Sequence, residues 1–301
     1  MKKFFYLFIV SIFLTGCNMN GAIQHPSQIK KEKEVSLDIM TTNKQLYYMT
    51  KEIVGENHNL DYMFEDTLSQ WDYTFTEDSL SNIGKQDLFI YNGAGFEPWI
   101  GDFLDKLNKG KVGAIDASRG ISLINYSENL KYNSQVFKVN PYYWLDPGDY
   151  KVAMSNIKNS IEDKDPHKRS YYEKNFATSL KQIEILDKEM SSYLDKFKED
   201  TFLVVGDNLD YFIKYYGLKT IKIGESKLNQ QTELDKIGKK IMEAKKVVLL
   251  NSNLVDITTI KPFLTEYNID QIKINVFNQN ISYSEAFMIN IEALKDYLDK
   301  N

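Results

Sequence analysis

The sequence predicts an α/β fold: two α/β lobes with parallel sheets, joined by one long spine helix. Three observations carry this. Strand-like and helix-like segments alternate from residue 35 to about 163, and again, more cleanly, from 201 to 301. Between them, residues 165–200 contain no strand-like segment. Short apolar strands alternating with amphipathic helices form parallel sheets covered on both faces.

In the first lobe, 35–163, residues 35–41 read as a strand and 44–54 as a helix. Residues 88–91 and 112–115 are short apolar strands, each after a polar helical stretch. In the second lobe, 201–301, the strands are 201–205, 218–223, 246–250 and 271–277. The helices there are 208–216, 232–244, 257–267 and 284–299, with Gly217, Gly224 and Asn251 punctuating the transitions. In the linking segment Tyr172, Phe176, Leu180, Ile183, Leu186, Met190, Tyr193 and Phe197 recur at helical steps, which marks one apolar face. Asp165-Pro166 supplies a capping side chain and a first-turn proline. A helix over 166–198 is a rod of roughly 50 Å at 1.5 Å per residue. The stripe lacks a strict heptad, so a spine is favoured over a coiled-coil dimer, and a monomer is expected. Ligands of such a molecule bind between the lobes, outside the carboxyl ends of the strands.

The N-terminus sets the compartment. Lys2 and Lys3 precede an apolar run over 4–14, and Leu14-Thr15-Gly16-Cys17 closes it. Charge, apolar core and small residues before a cleavage point make a secretion signal over 1–17. The run is too short for a permanent membrane-spanning helix. Cys17 is the only cysteine, so no intrachain disulfide forms, and its setting resembles the bacterial lipobox, in which the thiol is acylated. The competing reading is an ordinary signal peptide with an incidental cysteine. Residues 18–34 are polar, contain Pro26 and a Lys-Lys-Glu-Lys-Glu run, and read as a flexible tether. An extracytoplasmic protein held at the cell membrane by lipid follows. Without the two leader lysines, 35 Lys and Arg face 42 Asp and Glu, a net charge of −7. That disfavours nucleic acid, whose phosphates need a basic face.

Two motifs stand out, the first directly after the strand 88–91. Residues 91–99 read Tyr-Asn-Gly-Ala-Gly-Phe-Glu-Pro-Trp, which puts Asn92 and two glycines at a strand end and Glu97 at the expected start of a helix. The segment lacks the Lys-Ser/Thr of a phosphate loop. Residues 140–147 read Asn-Pro-Tyr-Tyr-Trp-Leu-Asp-Pro, a rigid aromatic loop in which Asp146 opens the next helix. Together they resemble segments of the zinc- and manganese-type solute-binding lipoproteins of bacterial ABC importers. The likeness extends to 41–56, to 207–218 and to 289–294, and so covers the chain from about Val35. It implies two lobes, a spine helix, a permease partner and a zinc or manganese ligand.

The residues depart from that family where its metal is held, usually by three histidines and one acid. Trp71, Tyr142, Gly206 and, more loosely, Ser282 stand at those positions. None offers the imidazole, thiolate or carboxylate that zinc requires. His25, His58 and His167 fit no ligand spacing and read as surface or helix-end residues, with His25 in the tether. Asp72, Glu97, Asp146 and Asp207 fall at or near the implied cleft, Glu97 and Asp146 with ready helix-start roles. Carboxylates without nitrogen donors suit a hard cation better than zinc, or, beside Trp71 and Tyr142, an organic cation. The plainer alternative is that Trp71 and Tyr142 fill an emptied site. A divergent importer-linked binding protein with weak or absent zinc binding is therefore expected, with ligand-cleft candidates Trp71, Asp72, Asn92, Glu97, Tyr142, Gly206, Asp207 and Ser282. The alternative is a surface lipoprotein that has lost transport and serves as an adhesin or partner-binding protein. An enzyme is not expected, since no Ser/His/Asp or Cys/His set is present.

Overall fold

The computed structural model describes residues 35–107, 111–133, 135–276 and 280–300. The signal segment, the lipobox with Cys17, the tether and position 277 lie outside the described residues. In chain order the first part holds β1 (Asp38–Asn43), α1 (Lys44–Val54), β2 (Asn59–Phe64), α2 (Thr67–Trp71), α3 (Glu77–Gly84), β3 (Leu88–Tyr91), α4 (Ile100–Lys106) and β4 (Gly113–Asp116). A hairpin of β5 (Ile124–Tyr132) and β6 (Gln135–Asn140) follows, then α5 (Pro147–Lys164) and α6 (Arg169–Leu194). The last part holds β7 (Thr201–Val205), α7 (Asp210–Tyr216), β8 (Thr220–Ile223), α8 (Gln231–Glu243), β9 (Val247–Ser252), α9 (Lys261–Glu266), β10 (Gln271–Ile274) and α10 (Tyr283–Lys300).

The two four-stranded sheets have orders β2-β1-β3-β4 and β10-β9-β7-β8, and every pairing in both is parallel. Among the described residues no strand passes from one sheet to the other. In each sheet the chain runs to one side of the first strand and then to the other. That opens a crevice at the carboxyl ends of β1 and β3 in one sheet and of β7 and β9 in the second.

Local sequence explains the helix ends. The Asn43 side chain accepts the Leu46 N–H at 3.1 Å and starts α1, and Gly55, at φ 58°, ends it. Asp146 caps α5 by accepting from the Gly148 and Asp149 N–H groups, as the Asp-Pro pair predicts. The spine is shorter than expected: α6 has 26 residues, flanked by 3-10 turns at Pro166–Lys168 and Asp195–Phe197. At 1.5 Å per residue its regular part spans about 39 Å. Its predicted stripe is apolar contact surface, with Tyr172, Ile183, Leu186, Met190 and Phe197 buried and Phe176, Leu180 and Tyr193 half-buried. They belong to one core that also takes Ile39 and Ile90 from the first sheet and Phe202, Val204 and Leu250 from the second.

Some boundaries differ from expectation. The first strand starts at Asp38 rather than 35, and 257–267 breaks into a 3-10 turn and the short α9, with Pro262 in its first turn. β2 and the β5–β6 hairpin are additional. β2 is an edge strand with little burial, and β5 is mostly exposed, so neither carries a strong apolar period. Among the described residues no helix is long and apolar enough to cross a membrane.

Candidate functional site

The loop after β3 is fixed from within. Gly93, Ala94 and Gly95 all take left-handed backbone, with φ of 71°, 52° and 73°. A Cβ on Gly93 would overlap the Asp116 carboxyl and the Ser118 hydroxyl, so only glycine fits there. Glu97 is 1% exposed. Its carboxyl accepts from the Thr42 hydroxyl at 2.7 Å and from the N–H groups of Asn92 at 2.8 Å and Gly93 at 3.1 Å. Burial pushes its pKa up to about 7, against the pull of those three bonds. The expected helix-start role is corrected: α4 begins at Ile100, and Glu97 instead closes its own loop and ties it to β1. Asn92 is likewise buried, with its side-chain nitrogen unpartnered.

Trp71 ends α2, and the hairpin packs onto it. Its ring lies 4.6 Å from Phe137, 5.3 Å from Tyr132 and 6.4 Å from Phe96. The indole Nε1 is closed to solvent and has no partner. Asp72, left open by the sequence, is exposed and accepts from Tyr132 Oη and Asn133 Nδ2, both at 2.8 Å. It fastens the hairpin tip rather than facing a ligand.

Tyr142 and Gly206 come from the two sides of the molecule. Tyr142 is 4% exposed, and its ring meets Phe96 at 6.5 Å and Trp144 at 5.4 Å. Trp71 and Tyr142 thus share Phe96 as a neighbour. Gly206 follows β7 at φ 70°, and a Cβ there would overlap the Glu225 carboxyl. Glu225 occupies the space of the side chain that Gly206 lacks, and sequence reasoning missed it. The only cue was an acid following Gly224 at the carboxyl end of β8. Burial raises the Glu225 carboxyl, helped by the Asp207 charge.

Asp207 is 6% exposed and fully engaged. It accepts from the Ser127 N–H at 2.6 Å and from the Ser127 hydroxyl at 2.8 and 2.9 Å, and it pairs with Lys222 at 2.7 Å. Burial works to raise its pKa, but Lys222 and Ser127 outweigh it and hold the carboxyl below its ordinary value. Lys222 also pairs with Asp210. Ser282 sits outside this group of contacts. Its N–H and hydroxyl bond to Glu285, whose N–H returns a bond, a reciprocal cap at the start of α10.

The histidines need one correction. His58, expected near the surface, is 7% exposed and bonded to Tyr172 at 2.6 Å. Its place beside β2 and α6 buries it under the first sheet. Among the described residues no group of three or more His, Cys, Asp or Glu side chains is arranged to hold a metal ion.

Two parallel-sheet lobes on a helical spine, with aromatic and acidic side chains where the strands end, are the architecture of the solute-binding proteins of ABC importers, and the family match assigns the chain to that class. The chain belongs to the family described as zinc-uptake complex component A, periplasmic, which it matches over residues 39–297. It is 25% identical to the high-affinity zinc uptake system protein ZnuA of Bacillus subtilis, over 99% of this chain and 98% of that protein. It is 27% identical to the iron ABC transporter substrate-binding lipoprotein MtsA of Streptococcus pyogenes, over 79% of this chain and 76% of that one. The zinc-binding lipoprotein AdcA of Streptococcus pneumoniae is 25% identical over 74% of this chain, which spans 44% of AdcA. Among solved structures, the metal-dependent lipoprotein YcdH of Bacillus subtilis superposes with a TM-score of 0.71 at 24% identity, covering 87% of this chain and 99% of that one.

Proposed function

We propose that this protein is the lipid-anchored, extracytoplasmic solute-binding component of an ABC importer, and that it lacks the high-affinity zinc site usual in its family. The observation that carries the second part is the filling of the four ligand positions. Trp71 packs on Phe137 beneath the hairpin, Tyr142 is a buried phenol, Glu225 fills the space at Gly206, and Ser282 caps a helix. The buried carboxylate next to Gly206, Asp207, is already paired with Lys222 and bonded to Ser127. Zinc needs about four imidazole, thiolate or carboxylate donors in tetrahedral array, and these residues do not supply them. Titration of the purified protein with Zn²⁺ and Mn²⁺ tests this.

The anchor rests on Cys17 and on the lipoprotein names of AdcA and MtsA. Acyl chains add about 0.8 kcal/mol per buried methylene, so several on one residue hold firmly. Cys17→Ser should block processing or release the protein from the membrane fraction. Unchanged membrane association with cleavage still occurring would contradict the anchor. The aromatic packing around Trp71 also favours a second reading, a surface lipoprotein that has lost transport. Micromolar binding of any small solute would decide for the importer.

A further inference from the structure

By chain order the β5–β6 hairpin stands in the first lobe, but its bonds moor it to the second. Its strands pair antiparallel with each other, and neither joins a four-stranded sheet. The register shifts between Asn125 and Leu130, which frees Ser127 and Glu128 from the ladder for other partners. Those partners lie in the second lobe. The Ser127 N–H and hydroxyl donate to Asp207, and Glu128 accepts from Ser226 and pairs with Lys227. On the other strand Asn140 Nδ2 donates to the Asp207 carbonyl. Tyr211 Oη joins both strands, accepting the Ile124 N–H at 2.8 Å and donating to the Asn140 carbonyl at 3.1 Å. Asp207 and Tyr211 are buried. The tip rests on the first lobe instead. Its two bonds to Asp72 lie in solvent, and Tyr132 and Phe137 cover the Trp71 ring at 5.3 and 4.6 Å. Groups of an exposed bond regain water when it breaks, whereas buried groups lose their partner outright, so the tip is the cheaper end to release.

We propose that the hairpin is a lid carried by the second lobe, which stays moored at its base and lifts at its tip from Asp72 and Trp71. Trp99 and Trp144 donate their indole N–H groups to the Gln70 and Val276 carbonyls. The Trp71 N–H is closed to solvent and has no partner. Closure therefore gains aromatic packing but leaves one buried donor unmatched, and lifting gives that donor to water. The ring so exposed touches Phe96, which in turn touches Tyr142. The lobes need not move, which the packed spine resists. The lid rests on this bond pattern and not on the identity of any solute.

Hydrogen exchange followed by NMR tests the lid, read at the three indole N–H groups and at the Ile124 and Ser127 amides. The variant is Tyr132→Phe with Asn133→Gly. It removes both bonds to Asp72 but keeps a ring on Trp71, and glycine suits the left-handed backbone of residue 133, at φ 50°. The Trp71 indole should exchange at least about tenfold faster in the variant. The Trp99 and Trp144 indoles and the Ile124 and Ser127 amides should keep their rates. An unchanged Trp71 rate overturns the lid, because the tip is then not the edge that opens. Equal acceleration at Ile124 and Ser127 overturns it too, because the hairpin then leaves the second lobe as a whole. Equal acceleration of all three indoles shows opening of the entire fold and has the same consequence.

Discussion

His58, Tyr172 and Asp165 form a directed chain beneath the first sheet. The Leu37 N–H donates to His58 Nδ1 at 3.2 Å, so His58 Nε2 carries the proton and donates to Tyr172 Oη at 2.6 Å. Tyr172 in turn donates to Asp165 Oδ2 at 2.7 Å. The chain ties the start of the first sheet to the start of α6. Burial lowers the His58 pKa below its ordinary 6.5, against the pull of Asp165 and with the help of Lys168. The fold therefore prefers the neutral ring. Below about pH 6.5 the unfolded chain takes up a proton that the folded chain refuses, so this contribution is present above that pH and is lost as the pH falls through the folded pKa. Tyr172→Phe removes the partner of His58 Nε2 and of Asp165 Oδ2, both buried, and should cost about 2 kcal/mol in urea denaturation at pH 7.5. A loss under about 0.5 kcal/mol would contradict the chain. None of this was legible in the sequence. His58 stands far from Asp165 and Tyr172 along the chain, and a histidine before a strand looks like any loop residue.

The β5–β6 hairpin is bonded to other parts of the fold at both its base and its tip. At its base the Ser127 N–H and hydroxyl hold Asp207, Ile124 N–H donates to Tyr211 Oη, and Asn140 Nδ2 donates to the Asp207 carbonyl. Glu128 accepts from the Ser226 hydroxyl and pairs with Lys227 at 2.7 Å. At its tip, Tyr132 and Asn133 hold Asp72 beside Trp71. The hairpin therefore straps the second sheet's strand ends to α2. The tip is its weaker end, since Asp72 is exposed and such bonds contribute only about 1 kcal/mol each. Asp72→Ala should leave global stability within about 1 kcal/mol but speed amide exchange over 124–133 and 135–140 and shift Trp71 fluorescence to the red. Unchanged exchange would show that the aromatic packing alone holds the tip. The regular elements were readable because their apolar periods are strong, as in α6 and β7. The hairpin was not, because its Asn, Ser, Glu and Lys residues follow no apolar alternation and its partners lie in distant segments.

At the scale of the whole molecule, the spine makes one body of two sheets. Met190 and Leu194 of α6 share a core with β1 and β3 on one side and with β7, β9 and α10 on the other. A hinge needs a few residues free to change their dihedral angles, and a packed continuous helix denies them that freedom, so wide opening of the lobes is resisted. The two crevices at the strand ends and their motifs were legible as a pattern, whereas the reading of positions 71, 142, 206 and 282 as stand-ins for the family's ligands is an expectation from the sequence. What fills those positions was not legible. Glu225 enters through a left-handed glycine, and Phe137 enters through the hairpin, so each depends on a contact between segments far apart in sequence.

We infer that this zinc-family scaffold carries no zinc-grade site. Isothermal titration of the purified protein with Zn²⁺, and separately with Mn²⁺, measures it. No stoichiometric binding tighter than about a micromolar, or about −8 kcal/mol, is expected for either ion. One-to-one nanomolar binding of either would contradict it, and Asp72, Glu97, Asp207 and Glu225 would then be the residues to replace in turn.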